Sequence, residues 1–217
     1  MASTTLGITE LPADESRIDI LQAAADCFMA RGYSATSVDD VARRLGATKG
    51  RIYHYFPSKA DLFAGVFRYG MDRIFLAVEP YRQMPGPAVE QWKKLAFVHT
   101  IRMMKSKTLA RVVWEGVEMH LRGATTPEQR LELDGLVKYR NSYSDIFRET
   151  IARAREEGAF DFEDVAIAVQ TMFMALNSPI LWYVPRPGET DEHVEDIARQ
   201  IVGFVYRGLG GKGELNL

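Results

Sequence analysis

The chain has 217 residues, 47% of them hydrophobic and 26% charged, and a formal net charge of −2. This is the composition of a soluble globular chain of one or two domains, long enough to bury a sizeable core, and it excludes a uniformly basic nucleic-acid coat. A single cysteine, Cys27, excludes an intramolecular disulfide and a cysteine-built zinc site, and it suits a reducing, cytoplasmic setting.

The first 15 residues have neither the basic nor the apolar region of a signal peptide and read as a disordered tail. Beyond them charge is unevenly placed. Between Ser16 and Lys59 seven bases stand against four acids, so this stretch carries +3 and the remainder −5. An anion-seeking surface is expected at the N-terminal end.

Apolar spacing reads as helix throughout, with no sustained period-two alternation and no repeat. From Arg17 to Arg31, Ile18, Leu21, Ala24, Ala25 and Phe28 share one face, and Gly32 is a natural left-handed stop. A second helix starts at Ser37, whose hydroxyl can cap backbone N–H groups while Asp40 adds negative charge to the first turn. It points Val38, Val41, Ala42 and Leu45 inward and ends at Gly46. A third helix follows at once, Thr48 to Phe56. After Pro57, Ser58 caps a fourth that runs towards Glu79.

The segment Pro80–Pro87 (PYRQMPGP) is the clearest break. Further helices are expected over Ala88–Lys105, Leu109–Leu121, Pro127–Glu157, Phe162–Val184 and Asp191–Leu209. The apolar run Val165–Val184 is long enough to span a membrane. Gln170, Asn177, Ser178 and Pro179 interrupt it, which favours a buried amphipathic helix and no membrane association. The chain therefore reads as all-α. A tail (1–15) precedes a three-helix helix-turn-helix domain (16–62), a larger helical ligand-binding and dimerisation domain (63–210) and a flexible tail (211–217).

Two helices joined by the short turn Gly46-Ala47-Thr48 make a helix-turn-helix. On the third helix Ile52 and Phe56 lie four apart and face inward. Gly50, Arg51 and His54 face outward, flanked by Lys49 and Tyr53. An arc of donors with a glycine at its centre suits close approach to the major groove of DNA.

The residues Thr36-Ser37-Val38, Val41-Ala42, Leu45-Gly46, Thr48-Lys49-Gly50, Ile52-Tyr53, Tyr55-Phe56 and Ser58-Lys59-x-x-Leu62 resemble the N-terminal pattern of the TetR family of bacterial transcriptional regulators. The resemblance implies an all-α homodimer that represses from double-stranded operator DNA and is relieved by a small molecule. By position it implies phosphate contacts at Ser37, Tyr53 and Lys59, and base reading by Lys49, Gly50, Arg51 and His54, with Thr48 in the same segment. Arg51 departs from the small residue common at its position, which suggests an arginine reading guanine. Arg43, like Arg44, either reaches phosphate or is solvated. Tyr55 stands where histidine is frequent and is expected to pack.

Catalysis has no support in the motifs: there is no nucleophile elbow, phosphate loop or dinucleotide fingerprint, and the four histidines are scattered. Glu115, Glu118 and His120 do not share a helical face, so neither a metal nor a cofactor is expected. In the second domain, methionines and hydroxyl-bearing tyrosines at helical spacing suit an apolar effector pocket with a few polar anchors. Its candidate lining is Met104, Trp114, Tyr139, Tyr143, Phe147 and Phe173, with Asn177 as a polar anchor and Trp182 and Arg186 beside it. On the last helix Ile197, Ile201, Phe204 and Val205 form a stripe expected to meet its symmetry mate. The run Trp182-Tyr183-Val184-Pro185-Arg186-Pro187-Gly188 resembles a Trp-Tyr-Arg-Pro-Gly motif of TetR-family regulators, some of which sense acyl-CoA thioesters. Here two residues intervene before the arginine. The alternatives to an acyl-CoA-responsive repressor of a palindromic operator are a repressor of an efflux operon sensing a lipophilic drug, and a ligand-independent architectural DNA-binding protein.

Overall fold

The structure, a computed structural model, describes residues 14–123 and 126–217, so nearly all of the expected N-terminal tail lies outside the described residues. The described residues form helices and no strand. In order these are α1 (Glu15–Ala35), α2 (Val38–Leu45), α3 (Lys49–Tyr55), α4 (Lys59–Arg82), α5 (Ala88–Lys105), α6 (Lys107–Arg122), α7 (Pro127–Glu156), α8 (Val165–Asn177), α9 (Pro179–Trp182) and α10 (Asp191–Gly208). They divide into two compact units. The first holds the described residues up to Leu76 together with those between Thr108 and Lys138; the second holds Ala77–Lys107 and Tyr139–Leu217.

The first unit is built from local signals. The Asp14 carboxylate caps α1 by accepting the Arg17 N–H at 3.3 Å. At Gly32 the backbone turns to φ 76°, which interrupts the helical path although hydrogen bonding resumes as far as Ala35. The Thr36 hydroxyl, buried just beyond, donates to the carbonyls of Gly32 (2.7 Å) and Cys27 (3.1 Å). Ser37 and Asp40 form a reciprocal capping box at the start of α2, each side chain meeting the other's backbone N–H. Gly46 (φ 67°, ψ 31°) supplies the left-handed turn, and the Thr48 hydroxyl caps α3.

Ile20, Leu21, Ala24 and Phe28 of α1 pack with Val38, Val41, Ile52 and Phe56 and with Leu62, Phe63 and Val66 of α4 in one core. Helix α6 joins this core through Leu109 and Val112. Its Gly116 lies so close to the buried Phe67 ring that a β-carbon there would sit 2.7 Å from the ring edge. Its Glu115 accepts the Tyr33 backbone N–H at 2.6 Å.

In the second unit α10 packs on α5 and α8, and α5 packs on α8 and α9. Trp92 is fully buried beside Phe160 (centroids 5.2 Å) and Tyr206 (6.2 Å), and its indole N–H points to the Met172 sulfur at 3.2 Å. Three sequence expectations change here. Helix α4 does not stop before Pro80 but runs on to Arg82, and the Gln91 amide donates to the carbonyls of Tyr81 (3.0 Å) and Arg82 (2.5 Å) that this late ending leaves open. The expected helix Phe162–Val184 is two helices, since Pro179 cannot donate into the ladder and α9 restarts there. Nor is this stretch mainly buried. Val165–Trp182 has a mean hydropathy of 1.4 but only a third of it is covered, because Ile167, Met174 and Leu181 face outward.

Candidate nucleic-acid interface and effector site

The third helix presents the residues that the sequence singled out. Ile52 is fully buried, whereas Thr48, Lys49, Gly50, Arg51, Tyr53 and His54 are exposed. No atom but the Thr48 hydroxyl, 3.9 Å away, comes near the space a β-carbon on Gly50 would fill, so this glycine leaves a gap in the surface rather than a packing contact. Arg51 enters no ion pair among the described residues; its guanidinium donates to the Ser16 hydroxyl at 3.2 Å. Its planar fork of donors remains available to a guanine edge or a phosphate. The His54 ring stands edge-on to Tyr55 at 5.2 Å, and Tyr55 also packs against the core.

Several neighbouring cations are occupied. Lys49 pairs with Asp39 at 2.5 Å, Arg43 and Arg31 both reach Asp40, and Arg44 meets Asp26 at 2.6 Å. Backbone and hydroxyl donors from Ser37, then Arg31, hold the Asp40 carboxyl well below the usual carboxylate range. Lys59 lies over the Tyr33 ring (4.4 Å) and donates to the carbonyl of Tyr33 at 3.0 Å, capping the end of α1. The Ser37 hydroxyl is exposed but engaged with Asp40.

The residues expected to line the effector pocket fall in three places. Tyr143, Phe147, Phe173 and Asn177 come together in the second unit around His99, which the sequence reading did not select. His99 is 3% exposed, and its Nδ1 lies 2.9 Å from the Tyr143 hydroxyl and its Nε2 3.0 Å from Asn177 Oδ1. With the amide oxygen facing the ring, Nε2 carries the proton and Nδ1 accepts from the hydroxyl. The rings of Phe147 and Phe173 stand edge-on to the imidazole at 5.7 and 5.4 Å. Burial, opposed by the Asn177 hydrogen bond and aided by the positive Arg140, pushes the His99 pKa down to about 4. Burial likewise raises the Tyr143 phenol well above its ordinary value. The group is therefore neutral. Tyr139, one turn before Tyr143 on α7, is partly buried.

Trp182 and Arg186 lie elsewhere, both exposed, at a cavity of about 340 Å³ with Tyr183, Glu189, His193 and Ile197 on its walls. The Tyr183 hydroxyl donates to Glu189; burial first and that carboxylate second raise the phenol to about 12. Lys107 donates to the Tyr183 carbonyl. Met104 packs behind this loop with Tyr183, Val194 and Ala198. Trp114 belongs to the first unit, where it lines a cavity of about 210 Å³ with Phe28, Tyr33 and Met119.

On α10 the expected stripe divides between two faces. Ile197 packs towards Met104 and Tyr183, Ile201 is partly covered, and Val205 is buried. Phe204 is 71% exposed and lines, with Val205, Ile167 and Met172, an apolar groove of about 410 Å³ between α8 and α10.

Residues 20–66 match the family described as bacterial regulatory proteins, tetR family, and residues 85–209 match the tetracyclin repressor-like C-terminal domain. The chain belongs to the TetR family. It is 24% identical to the transcriptional repressor KstR2 of Rhodococcus jostii over 93% of this chain and 98% of that one. It is also 38% identical to the transcriptional activator FasR of Mycolicibacterium smegmatis, over 31% of each chain. Among solved structures it resembles the TetR regulator PfmR of Thermus thermophilus (TM-score 0.69, 27% identity, 90% of this chain and 99% of that one). It also resembles AibR, solved with isovaleryl coenzyme A and operator DNA (TM-score 0.70, 23% identity, 88% and 98% of the two chains). Like other TetR-family regulators it is a DNA-binding transcription factor, and the helix-turn-helix of α2 and α3 lies inside the N-terminal match.

Within this TetR-family chain, His99 is the residue that sequence reasoning missed. The available signal was a histidine in the middle of an apolar helix. Its partners Tyr143 and Asn177 were each selected, but nothing local joins residues 44 and 78 positions apart.

Proposed function

We propose that this protein is a repressor that binds a palindromic operator as a homodimer and lets it go when a small apolar effector, an acyl-CoA thioester, binds its second unit. The observation that carries the DNA half is the exposed arc of α3, where Arg51, in no ion pair among the described residues, stands beside Gly50. A dimer would present this arc twice, about one helical turn of DNA apart, at roughly 34–36 Å. The apolar α8–α10 groove supports the dimer, because a solvent-facing Phe204 and Ile167 on adjoining helices are stabilised when a second copy covers them.

The effector class is supported by two likenesses: to AibR, whose structure holds isovaleryl coenzyme A, and to KstR2, a ketosteroid regulator in Mycobacterium tuberculosis. Arg186, exposed at the rim of the Trp182–Tyr183 cavity, offers a planar donor fork to the phosphates of the coenzyme. Induction requires that the effector bind the non-operator arrangement more tightly than the operator-bound one, since equal binding shifts nothing.

The test has two parts. Operator variants titrated with Arg51→Ala should show lost preference at one base pair per half-site, whereas Tyr53→Phe should weaken all variants alike. Operator release should then be measured with acyl-CoAs, the matching free acids and lipophilic cationic drugs, for wild type and Arg186→Ala. Release by cationic drugs and by no thioester would overturn the acyl-CoA reading.

A further inference from the structure

In the second unit one arginine is partly buried against an aromatic ring. Arg140, on α7, is partly buried and takes part in no ion pair among the described residues. Its guanidinium lies over the Phe173 ring at 5.6 Å, and one N–H reaches Asn141 Oδ1 at 3.3 Å. Five N–H donors are fixed in that planar fork, and a ring face satisfies none of them. Its α7 neighbour Tyr143, three residues on, has its hydroxyl at His99, so the adjoining polar group is neutral and brings no anion. A cation withdrawn from water without a carboxylate is costly, and such groups concentrate where a charged ligand completes the pair. Burial lowers the proton affinity of Arg140.

We infer that Arg140 is the recognition point for an oxyanion of the effector, a carboxylate or a phosphate, held beside the face of Phe173. The inference rests on the reading that the second unit binds an effector, and it adds the charge that this effector carries. Arg186 and Arg140 then act on different grounds: the first is exposed at a rim, the second is partly buried over the Phe173 ring. The planar fork favours a two-oxygen acceptor, so a carboxylate or phosphate is preferred over an amide of the same shape.

Thermal unfolding of the full-length protein, with octanoate, benzoate, octanoyl-CoA and inorganic phosphate against octanamide and benzamide, tests this. Anionic probes are expected to raise the wild-type midpoint at concentrations where the amides do not. Arg140→Met should weaken that response at least tenfold while leaving the unliganded midpoint equal or higher, and Arg140→Lys should keep part of it. If Arg140→Met does not fold, Arg140→Gln removes the charge while keeping a donor. Response to octanoate assigns the site to a carboxylate. Response to octanoyl-CoA without octanoate or benzoate assigns it to phosphate. The inference is overturned if no anion outperforms its amide, or if the anion response survives loss of the Arg140 charge. Operator binding measured on the same samples separates the two ideas, since an anion response without operator release leaves Arg140 standing and refutes induction.

Discussion

Acidification should unfold this protein partly through one residue. Folded His99 resists protonation down to about pH 4 because it is enclosed by Tyr143, Phe147 and Phe173, whereas an unfolded imidazole titrates near 6.5. Above 6.5 neither state binds the proton, so the full stability is present. Between 6.5 and about 4 the unfolded chain takes up a proton that the folded one refuses, and stability falls as pH falls. The fall in pKa to about 4 corresponds to about 3.5 kcal/mol, at about 1.4 kcal/mol for each tenfold in proton affinity. About 2.5 kcal/mol of it should be lost by pH 4.5. Urea unfolding at a fixed protein concentration, at pH 7 and at pH 4.5, should show this loss on top of that from the carboxylates. His99→Gln keeps a donor and an acceptor but cannot titrate, so its stability at pH 7 is lower while its loss on acidification is smaller by about 2.5 kcal/mol. Equal losses in wild type and His99→Gln would refute the argument, since His99 would then exchange protons alike in both states.

Four further outcomes follow from the structure. Gly116→Ala should destabilise by about 1 kcal/mol in thermal or urea melts, because overpacking against Phe67 costs about 1–3 kcal/mol and outweighs the gain of about 1 kcal/mol in helix propensity. Gly135→Ala on α7, where nothing lies within 4 Å of the new β-carbon, should gain about 0.5–1 kcal/mol in the same assay. Ser37→Ala removes the hydroxyl half of the α2 capping box and should cost about 1 kcal/mol of stability, with weaker operator binding in a gel-shift titration. Phe204→Glu places a charge in the α8–α10 groove, and sedimentation should show a monomer with reduced operator affinity; an intact dimer would move the interface elsewhere.

What the sequence determined by itself is local. The starts of α2 and α4 were legible from Ser37 and Ser58, each capping a backbone donor three residues ahead, and the structure shows Asp14 and Thr48 doing the same for α1 and α3. The turn between α2 and α3 follows from Gly46, which a β-carbon would strain at φ 67°. Because these interactions span three or four residues, the outward face of α3 was legible as well. The late ending of α4 was not, because it depends on Gln91, which closes the Tyr81 and Arg82 carbonyls from the next helix. Helical spacing tells which side of a helix is apolar but not what that side meets. So the sequence placed Trp114, Tyr143 and Trp182 in one pocket, and the tertiary structure puts them in three places. It also divides the α10 stripe between Ile197, which faces the core around Met104, and Phe204, which faces solvent. Only packing decided that His99, Tyr143 and Asn177 meet. Each pairs with an atom on another helix, and the burial that makes the imidazole neutral exists only once α5, α7 and α8 enclose it.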